Sequence, residues 1–171
     1  MIELPESIQR LVKQLSRLPS IGPRQGTRLV FYLLSQGALL EPLARDIASL
    51  GKIKLCERCF FVHENEDALC VICRSTARRK DIIMIIEKET DLLSLENTGK
   101  FNGRYLIVGP IPKTGILEDW QKLRLDTLKT FITKELSGQS EEIIMGFNPT
   151  TLGDFQASLL IKELLPFTKK I

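Results

Sequence analysis

The chain has 171 residues, of which 43% are hydrophobic and 26% charged, with a formal net charge of +3 at pH 7. This composition is typical of a globular protein and excludes an intrinsically disordered chain. No apolar run reaches the ~20 residues that a membrane-spanning helix needs, and the N-terminal sequence lacks the apolar core of a signal peptide. We therefore predict a cytoplasmic protein that makes no contact with a membrane.

The net positive charge comes from the first 36 residues, which include five basic and two acidic residues. The rest of the chain carries nineteen residues of each sign. A second basic cluster follows the last cysteine and contains Arg74, Arg78, Arg79 and Lys80. Such clusters either form an ordinary solvated face or bind a polyanion, and charge alone does not decide between the two.

Three amphipathic helices are predicted in the first 52 residues. Apolar residues recur at helical spacing from Ile8 to Leu18, from about Arg24 to Ser35 and from about Leu39 to Leu50. Gly37 is expected to end the second helix and Gly51 the third.

The turn between the first two helices reads LPSIGPRQGTRLVFYLL over residues 18–34. The N-terminal N–H groups of the second helix favour an anion. Arg24 and Arg28 lie one turn apart beside them. The turn resembles a helix-hairpin-helix element, which binds the DNA backbone without reading bases, although Ser20 replaces one of its two usual glycines. An ordinary helical turn is the alternative. On the DNA-binding interpretation Arg24, Arg28, Arg17 and Lys13 are the candidate contacts.

All four cysteines, Cys56, Cys59, Cys70 and Cys73, lie within eighteen residues as two C-x2-C pairs separated by ten residues. Two such pairs complete the tetrahedron that Zn²⁺ prefers, and four protein ligands leave no position for water or substrate, which predicts a structural zinc ion. Two disulfides, an iron–sulfur cluster or a redox pair are the alternatives. His63 is interpreted as a surface loop residue because four thiolates already fill the coordination shell.

From residue 81 onward the sequence alternates between strands and helices. Three continuous apolar runs are predicted to form buried parallel strands. They lie at 82–86, 105–109 and 142–147. The predicted helices cover about 91–97, 120–136 and 154–165. This alternation predicts a parallel sheet with helices on its faces.

Polar residues follow the first and third strands, at the sheet edge where open parallel sheets bind ligands. They are Glu87, Asn148, Thr150 and Asp154. The arrangement resembles the Toprim domain, in which a glutamate and an Asp-x-Asp pair bind Mg²⁺. Asn148 and Thr150 stand here at the two aspartate positions. Glu87 and Asp154 would together form at most a weak Mg²⁺ site, and the alternative is that both are ordinary acids at loop ends.

The order of these parts resembles the RecR family of bacterial recombination mediators over about residues 4–165. The resemblance is carried by the hairpin turn, by CERC and CVIC, by IIEKETDLLSLENTGKFNGRYLIVG and by NPTTLGD. It implies an α+β protein of three parts. These are a helical helix-hairpin-helix region at 1–52, a four-cysteine zinc module at 53–80 and a Toprim-like α/β domain with a parallel sheet at 81–171.

The resemblance also implies a function without catalysis. Family members act with RecO, and in some bacteria with RecF, to load the recombinase RecA at single-stranded gaps, and they bind single- and double-stranded DNA without sequence preference. Carried over by position, the four cysteines bind zinc, Arg24 and Arg28 contact DNA, and Glu87, Asn148 and Asp154 line a partner-docking face. A Mg²⁺-dependent nuclease and a zinc-ribbon interaction module without DNA contact are the competing functions.

The family normally continues beyond the position of Ile171 with a further strand and a Gly-rich, acidic segment that takes part in subunit exchange. The three predicted strands are therefore expected to leave one sheet edge uncovered. A homodimer formed through the N-terminal helices is expected, and the ring-shaped assembly of the family is left open.

Overall fold

A computed structural model describes residues 3–171. The chain divides into two compact units, Met1–Lys52 and Ile53–Ile171. Among the described residues, no helix is both long and apolar enough to span a membrane.

Three helices form the first unit. They are α1 (Glu6–Leu15), α2 (Pro23–Ser35) and α3 (Gly37–Ser49), with a 3-10 turn at Leu50–Lys52. Gly26 allows α2 to lie close to α1, because a Cβ at this position would stand 3.2 Å from the carbonyl oxygen of Val12. Val30, one turn further along α2, is 2% exposed and forms the centre of this small core.

Two helix boundaries in the first unit differ from the prediction. α1 ends at Leu15 rather than Leu18, because the chain tightens there: the N–H of Arg17 donates to the carbonyl of Gln14, three residues back. Gly37 begins α3 instead of ending α2, and the break falls at Gln36, whose φ of −111° and ψ of 55° are not helical.

The second unit begins with the cysteine module. A short antiparallel hairpin joins β1 (Lys54–Leu55) to β2 (Val62–His63), and a single helical turn, α4 (Val71–Arg74), follows. The remainder is a parallel sheet with the strand order β4-β3-β5. Its strands are β3 (Ile82–Ile86), β4 (Arg104–Ile107) and β5 (Glu142–Gly146), and its helices are α5 (Glu89–Asn97), α6 (Asp119–Glu135) and α7 (Thr151–Leu164). The predicted mixed fold with a parallel sheet is confirmed.

The position of β3 at the centre of the sheet explains why its sequence, IIMII, is apolar throughout. Ile83 and Ile85 pack with residues of α6 and α7, such as Leu125 and Leu160. The alternate residues, Met84 and Ile86, belong to a separate cluster that contains the four cysteines and Leu92 of α5. The strand is therefore buried on both faces, and the cysteine module packs in the cluster that covers one of them.

Two helices of the second unit begin earlier than predicted because their capping residues lie further upstream. α5 starts at Glu89, and the Asp91 carboxylate accepts from the N–H of Lys88 at 3.0 Å. α7 starts at Thr151, and the Thr150 hydroxyl accepts from the N–H of Gly153 at 3.1 Å. Thr150 thus acts as a helix cap at the position where the Toprim pattern has an aspartate.

The sheet edge that was expected to be uncovered is partly paired. Residues 167–170 run parallel to the beginning of β5. The N–H of Ser140 donates to Phe167, the N–H of Lys169 donates to Ser140 and the N–H of Ile143 donates to Lys170, at 2.9–3.0 Å. This pairing corrects the expectation of a fully exposed edge beside β5.

Candidate metal centre and nucleic-acid interface

The four cysteine side chains converge on one point. The Sγ atoms of Cys56, Cys59, Cys70 and Cys73 all lie within 4.8 Å of one another, and those of Cys59 and Cys70 are 3.5 Å apart. All four residues are free thiols and are at most 3% exposed. The disulfide alternative is therefore wrong for this structure, and the arrangement is that of a closed four-ligand metal site.

Local turns aim each pair of thiols. The N–H of Phe60 donates to the carbonyl of Cys56 at 3.0 Å, which closes the turn after β1. Cys70 caps α4, and its Sγ accepts from the N–H of Cys73 at 3.5 Å. Backbone N–H groups that point at a sulfur stabilise its thiolate form, so the turns prepare the cysteines for a metal.

The thiols shift one another's pKa values in opposite directions. Hydrogen bonds, first from Cys59 and then from Cys70 and Cys73, hold the pKa of the Cys56 thiol well below its usual range. The bond to Cys56, followed by those to Cys70 and Cys73, raises the pKa of the Cys59 thiol. Four thiols this close do not all ionise by themselves, whereas a bound dication stabilises all four thiolates and releases their protons.

The two aromatic residues after Cys59 divide between the two core clusters. Phe61 packs against the cluster that contains the cysteines, whereas Phe60 packs against the other core cluster. His63 lies on β2 and is half-buried, not in a surface loop. Its Nδ1 accepts from the N–H of Asn65 at 3.2 Å, and His63 is not among the residues whose ligand atoms converge on the metal site.

A buried arginine joins the cysteine module to the sheet. Arg104, the first residue of β4, is 3% exposed. Its guanidinium donates to the carbonyl of Ile72 at 2.5 Å and to that of Ser75 at 2.6 Å. At the other end of β4, the N–H of Ile107 donates to the carbonyl of Cys59 at 3.0 Å. Both cysteine pairs are thereby fixed to one edge strand.

Three of the four basic residues that follow the cysteines form ion pairs, and we call these three the post-cysteine arginines: Arg74, Arg78 and Arg79. The fourth, Lys80, is exposed and forms no ion pair within residues 3–171. Arg74 pairs with Asp67 at 3.1 Å and Arg79 with Asp81 at 2.6 Å. Arg78 pairs with Glu96, which also accepts from the Tyr105 hydroxyl at 2.7 Å. Sequence reasoning did not assign Glu96 or Arg104, although both lie in the ENTGKFNGRY stretch that carries the family resemblance.

Four of the five basic residues in the first 36 positions behave differently; we call them the hairpin cations: Lys13, Arg17, Arg24 and Arg28. All four are exposed, and within residues 3–171 none of them forms an ion pair. Arg10, the fifth basic residue of this region, pairs with Glu6 at 3.1 Å.

The structure distributes the hairpin cations over two faces. Lys13 and Arg17 line a groove of about 490 Å³ together with Pro23 and Thr27 at the start of α2. Arg24 and Arg28 lie one turn apart on the face of α2 opposite its buried side. Both faces border the N-terminus of α2, at which no described side chain forms a capping hydrogen bond.

The hairpin turn requires an unusual backbone at the residue that departs from the motif. Ser20 has a φ of 64°, a left-handed conformation that glycine adopts without strain. Gly22, by contrast, has a φ of −85° and would have nothing within 4 Å of an added Cβ. Neither its backbone nor packing in the described structure therefore requires a glycine at 22, although glycine is among the residues preferred at a helix N-cap.

The Toprim-like face is a groove with mixed polarity. Glu87, Lys88, Asn148 and Thr150 help to line a space of about 400 Å³ at the carboxyl ends of β3 and β5. The structure thus brings Glu87 and Asn148 together, whereas Asp154 lies within the first turns of α7 and is not a lining residue. Within residues 3–171, the four cysteines form the sole group of three or more His, Cys, Asp or Glu side chains that lie close enough to share a metal ion.

Comparison with known proteins identifies the family. Residues 8–48, which span most of the three helices, match the family described as RecR, helix-hairpin-helix. Recombination protein RecR of Chloroflexus aggregans is 34% identical over 168 residues, covering 96% of this chain and 78% of that protein. The chain belongs to the RecR family. RecR of Dehalococcoides mccartyi is 34% identical over 171 residues (96% and 79% covered), and that of Acaryochloris marina 34% over 166 residues (95% and 80%).

Membership of the RecR family accounts for the order of parts seen in the structure. The matched residues 8–48 contain the hairpin cations, and the four-cysteine cluster and the parallel sheet follow them. The prediction of a RecR-type protein is confirmed.

Proposed function

We propose that this protein is a DNA-binding mediator of recombinational DNA repair. It works in the cytoplasm with a RecO-like protein, and with a RecF-like protein where one is present, to load a RecA-type recombinase at single-stranded gaps. Its working parts are the hairpin region at 1–52, the metal module at 53–80 and the Toprim-like domain at 81–171. One observation carries the proposal: exposed cations without acidic partners border an uncapped helix N-terminus.

The hairpin cations contact phosphates in this proposal. Uncapped N–H groups at the start of α2 supply hydrogen bonds, and Arg24 and Arg28 beside them supply charge. Lys13 and Arg17 extend the contact along the α1 side of the groove. None of these groups reads a base, so binding is independent of sequence and includes both single strands and duplexes.

The metal is one structural Zn²⁺ in this proposal. Thiolates about 2.3 Å from a tetrahedral zinc ion lie about 3.8 Å from one another, and the observed Sγ separations, from 3.5 Å to at most 4.8 Å, fit that spacing. Cys56, Cys59, Cys70 and Cys73 fill the coordination shell. The ion stabilises the module and takes no part in chemistry.

The protein is a homodimer in this proposal, associated through its N-terminal helices. No residue of α3 is buried within the chain, and Leu40, Leu43 and Ile47 are 39–59% exposed. An apolar helix face of this kind is typical of an association surface. A ring-shaped assembly would need further contacts.

The protein is not an enzyme in this proposal, and the Toprim-like face docks partners. Glu87 is the one acid among the groove residues, and Lys88 lies beside it. A single carboxylate next to an ammonium group is poorly suited to holding Mg²⁺ for phosphoryl transfer. Asn148 lines the groove and Asp154 lies just beyond it, so both are available to a protein partner.

Fluorescence anisotropy with labelled single-stranded and duplex oligonucleotides tests the proposal. We expect affinity to fall with salt, with a slope of about −0.9 per phosphate contact on duplex DNA. Arg24→Ala and Arg28→Ala should each weaken binding without changing sequence preference, and Arg74→Ala is the matched control because Asp67 already pairs with that arginine. No binding by the unaltered protein would favour an interaction module without DNA contact.

Two further assays separate the remaining functions. A recombinase-loading assay on single strands covered by single-strand-binding protein, with and without a RecO-like protein, tests mediation. Incubation of labelled DNA with the protein and Mg²⁺ tests for a nuclease. Cleavage that disappears in Glu87→Gln would overturn the non-enzymatic assignment.

A further inference from the structure

The outward face of α2 carries an exposed aromatic ring in line with two of the hairpin cations. Tyr32 follows Arg28 by four residues, as Arg28 follows Arg24, so the three side chains form a row along the helix. Gly26 and Val30, the buried residues of α2, lie on the other side. Tyr32 is 56% exposed, although a ring of this size is ordinarily a large contribution to a core.

Tyr32 and Arg28 also border the same cleft. Together with Gln25 and Leu29, which also lie on α2, they line an open space of about 230 Å³ on the surface of the first unit. The residues that line this space thus include an aromatic residue and an arginine that forms no ion pair within residues 3–171. Flat π-faces beside a free cation are the elements with which proteins hold unpaired bases.

We infer that Tyr32 stacks on an unpaired base of single-stranded DNA whose phosphates lie on Arg24 and Arg28. The inference rests on the proposed function, and it adds a residue and a substrate class to that surface. Every base has a π-face, so stacking keeps binding independent of sequence. Duplex DNA keeps its bases inside the helix and offers mainly its phosphates. Tyr32 therefore gives the hairpin a preference for single strands that the arginines alone do not give.

The inference is tested with three DNA probes of equal length: an oligo-dT strand, an abasic strand with the same backbone and a duplex. Tyr32→Leu keeps apolar bulk but removes the ring, and Tyr32→Phe keeps the ring but removes the hydroxyl. We expect Tyr32→Leu to weaken binding of oligo-dT by about 5- to 100-fold, the range of one base–aromatic stack. Binding of the abasic strand and the duplex should not change, and Tyr32→Phe should bind all three probes like the unaltered protein.

Each contrary result has a distinct meaning. Unchanged oligo-dT binding by Tyr32→Leu, in a protein whose affinity still depends on Arg24 and Arg28, overturns the stacking inference and leaves the proposed function standing. Equal loss on all three probes together with a lower solution mass shows that Tyr32 packs against a second copy of the chain, which also overturns it. Absence of DNA binding by the unaltered protein removes the proposed function itself.

Discussion

The two basic clusters of this chain look alike in sequence and differ in structure. The post-cysteine arginines are each paired with a carboxylate of the same compact unit: Asp67, Glu96 or Asp81. The hairpin cations are exposed and have no such partner within residues 3–171. Counting charges therefore does not locate a polyanion surface. What matters is whether a carboxylate of the protein already pairs with the cation, because an unpaired cation is free to bind a phosphate and release the counterions held by the DNA.

Loss of the metal is expected to produce the largest effect, and it acts on the unit that contains the paired arginines. Cys56→Ser removes one of four thiolates, and the binding energy of a structural zinc ion is folding energy, on the order of 10 kcal/mol in isolated modules. We expect loss of bound zinc and a clear fall in thermal stability, measured by metal analysis and calorimetry. His63→Ala is the control and should retain the metal. A full zinc equivalent in Cys56→Ser would contradict the four-thiolate site.

The buried arginine is expected to produce the next largest effect. Arg104→Met removes two hydrogen bonds from the guanidinium and leaves the carbonyls of Ile72 and Ser75 without that donor. A cost of about 3 kcal/mol follows from the usual penalty for unsatisfied buried groups. Chemical denaturation measures it. Arg79→Ala is the exposed control, since its ion pair with Asp81 lies at the surface, where such pairs contribute little to stability. Equal effects of the two substitutions would show that Arg104 does not anchor the module.

The α1 side of the hairpin is expected to contribute less to DNA binding. Lys13→Ala and Arg17→Ala each remove one phosphate contact, and we expect a two- to fivefold loss of affinity, roughly 0.5–1 kcal/mol, with a salt slope shallower by about one. Anisotropy titrations at several salt concentrations measure both quantities. Loss of affinity without any change in slope would mean that these residues act on the fold and not on phosphates.

The strained turn is expected to give a small effect of opposite sign. Ser20→Gly places a residue without a Cβ at a φ of 64°, and relief of left-handed strain should raise the free energy of unfolding of the first unit by about 1 kcal/mol. Gly37→Ala is a control in an α-helix, where an added Cβ meets no atom within 4 Å. Destabilisation by Ser20→Gly would indicate that the Ser20 side chain supports the turn.

Much of the fold could be predicted from the sequence because its signals are local. The run IIMII predicted the central strand with its observed ends. The spacing of the cysteines predicted the metal cluster of Cys56, Cys59, Cys70 and Cys73. Helix ends were less accurate, since Thr150 and Lys88 cap helices that the apolar pattern placed further on. A cap is decided by one hydrogen bond, which leaves little trace in periodicity.

The other contacts of the site could not be predicted, because they join segments that are far apart in the sequence. Nothing in the local sequence shows that Arg78 pairs with Glu96, eighteen residues away, or that Arg104 reaches the carbonyls of Ile72 and Ser75. The groove at the sheet edge likewise included Glu87 and Asn148 but not Asp154. Asp154 lies in the first turn of α7, where Gly153 and Gln156 line the groove and Asp154 does not.

The salt dependence of DNA binding in two charge-matched double variants tests the central claim most directly. Arg24→Ala/Arg28→Ala and Arg74→Ala/Arg79→Ala each remove two positive charges. Plots of log K against log salt on one duplex should show a slope shallower by nearly two, and a lower affinity, for the first variant. The second should match the unaltered protein. Equal losses in both variants, or a larger loss in the second, would show that the paired arginines bind DNA and would contradict the account.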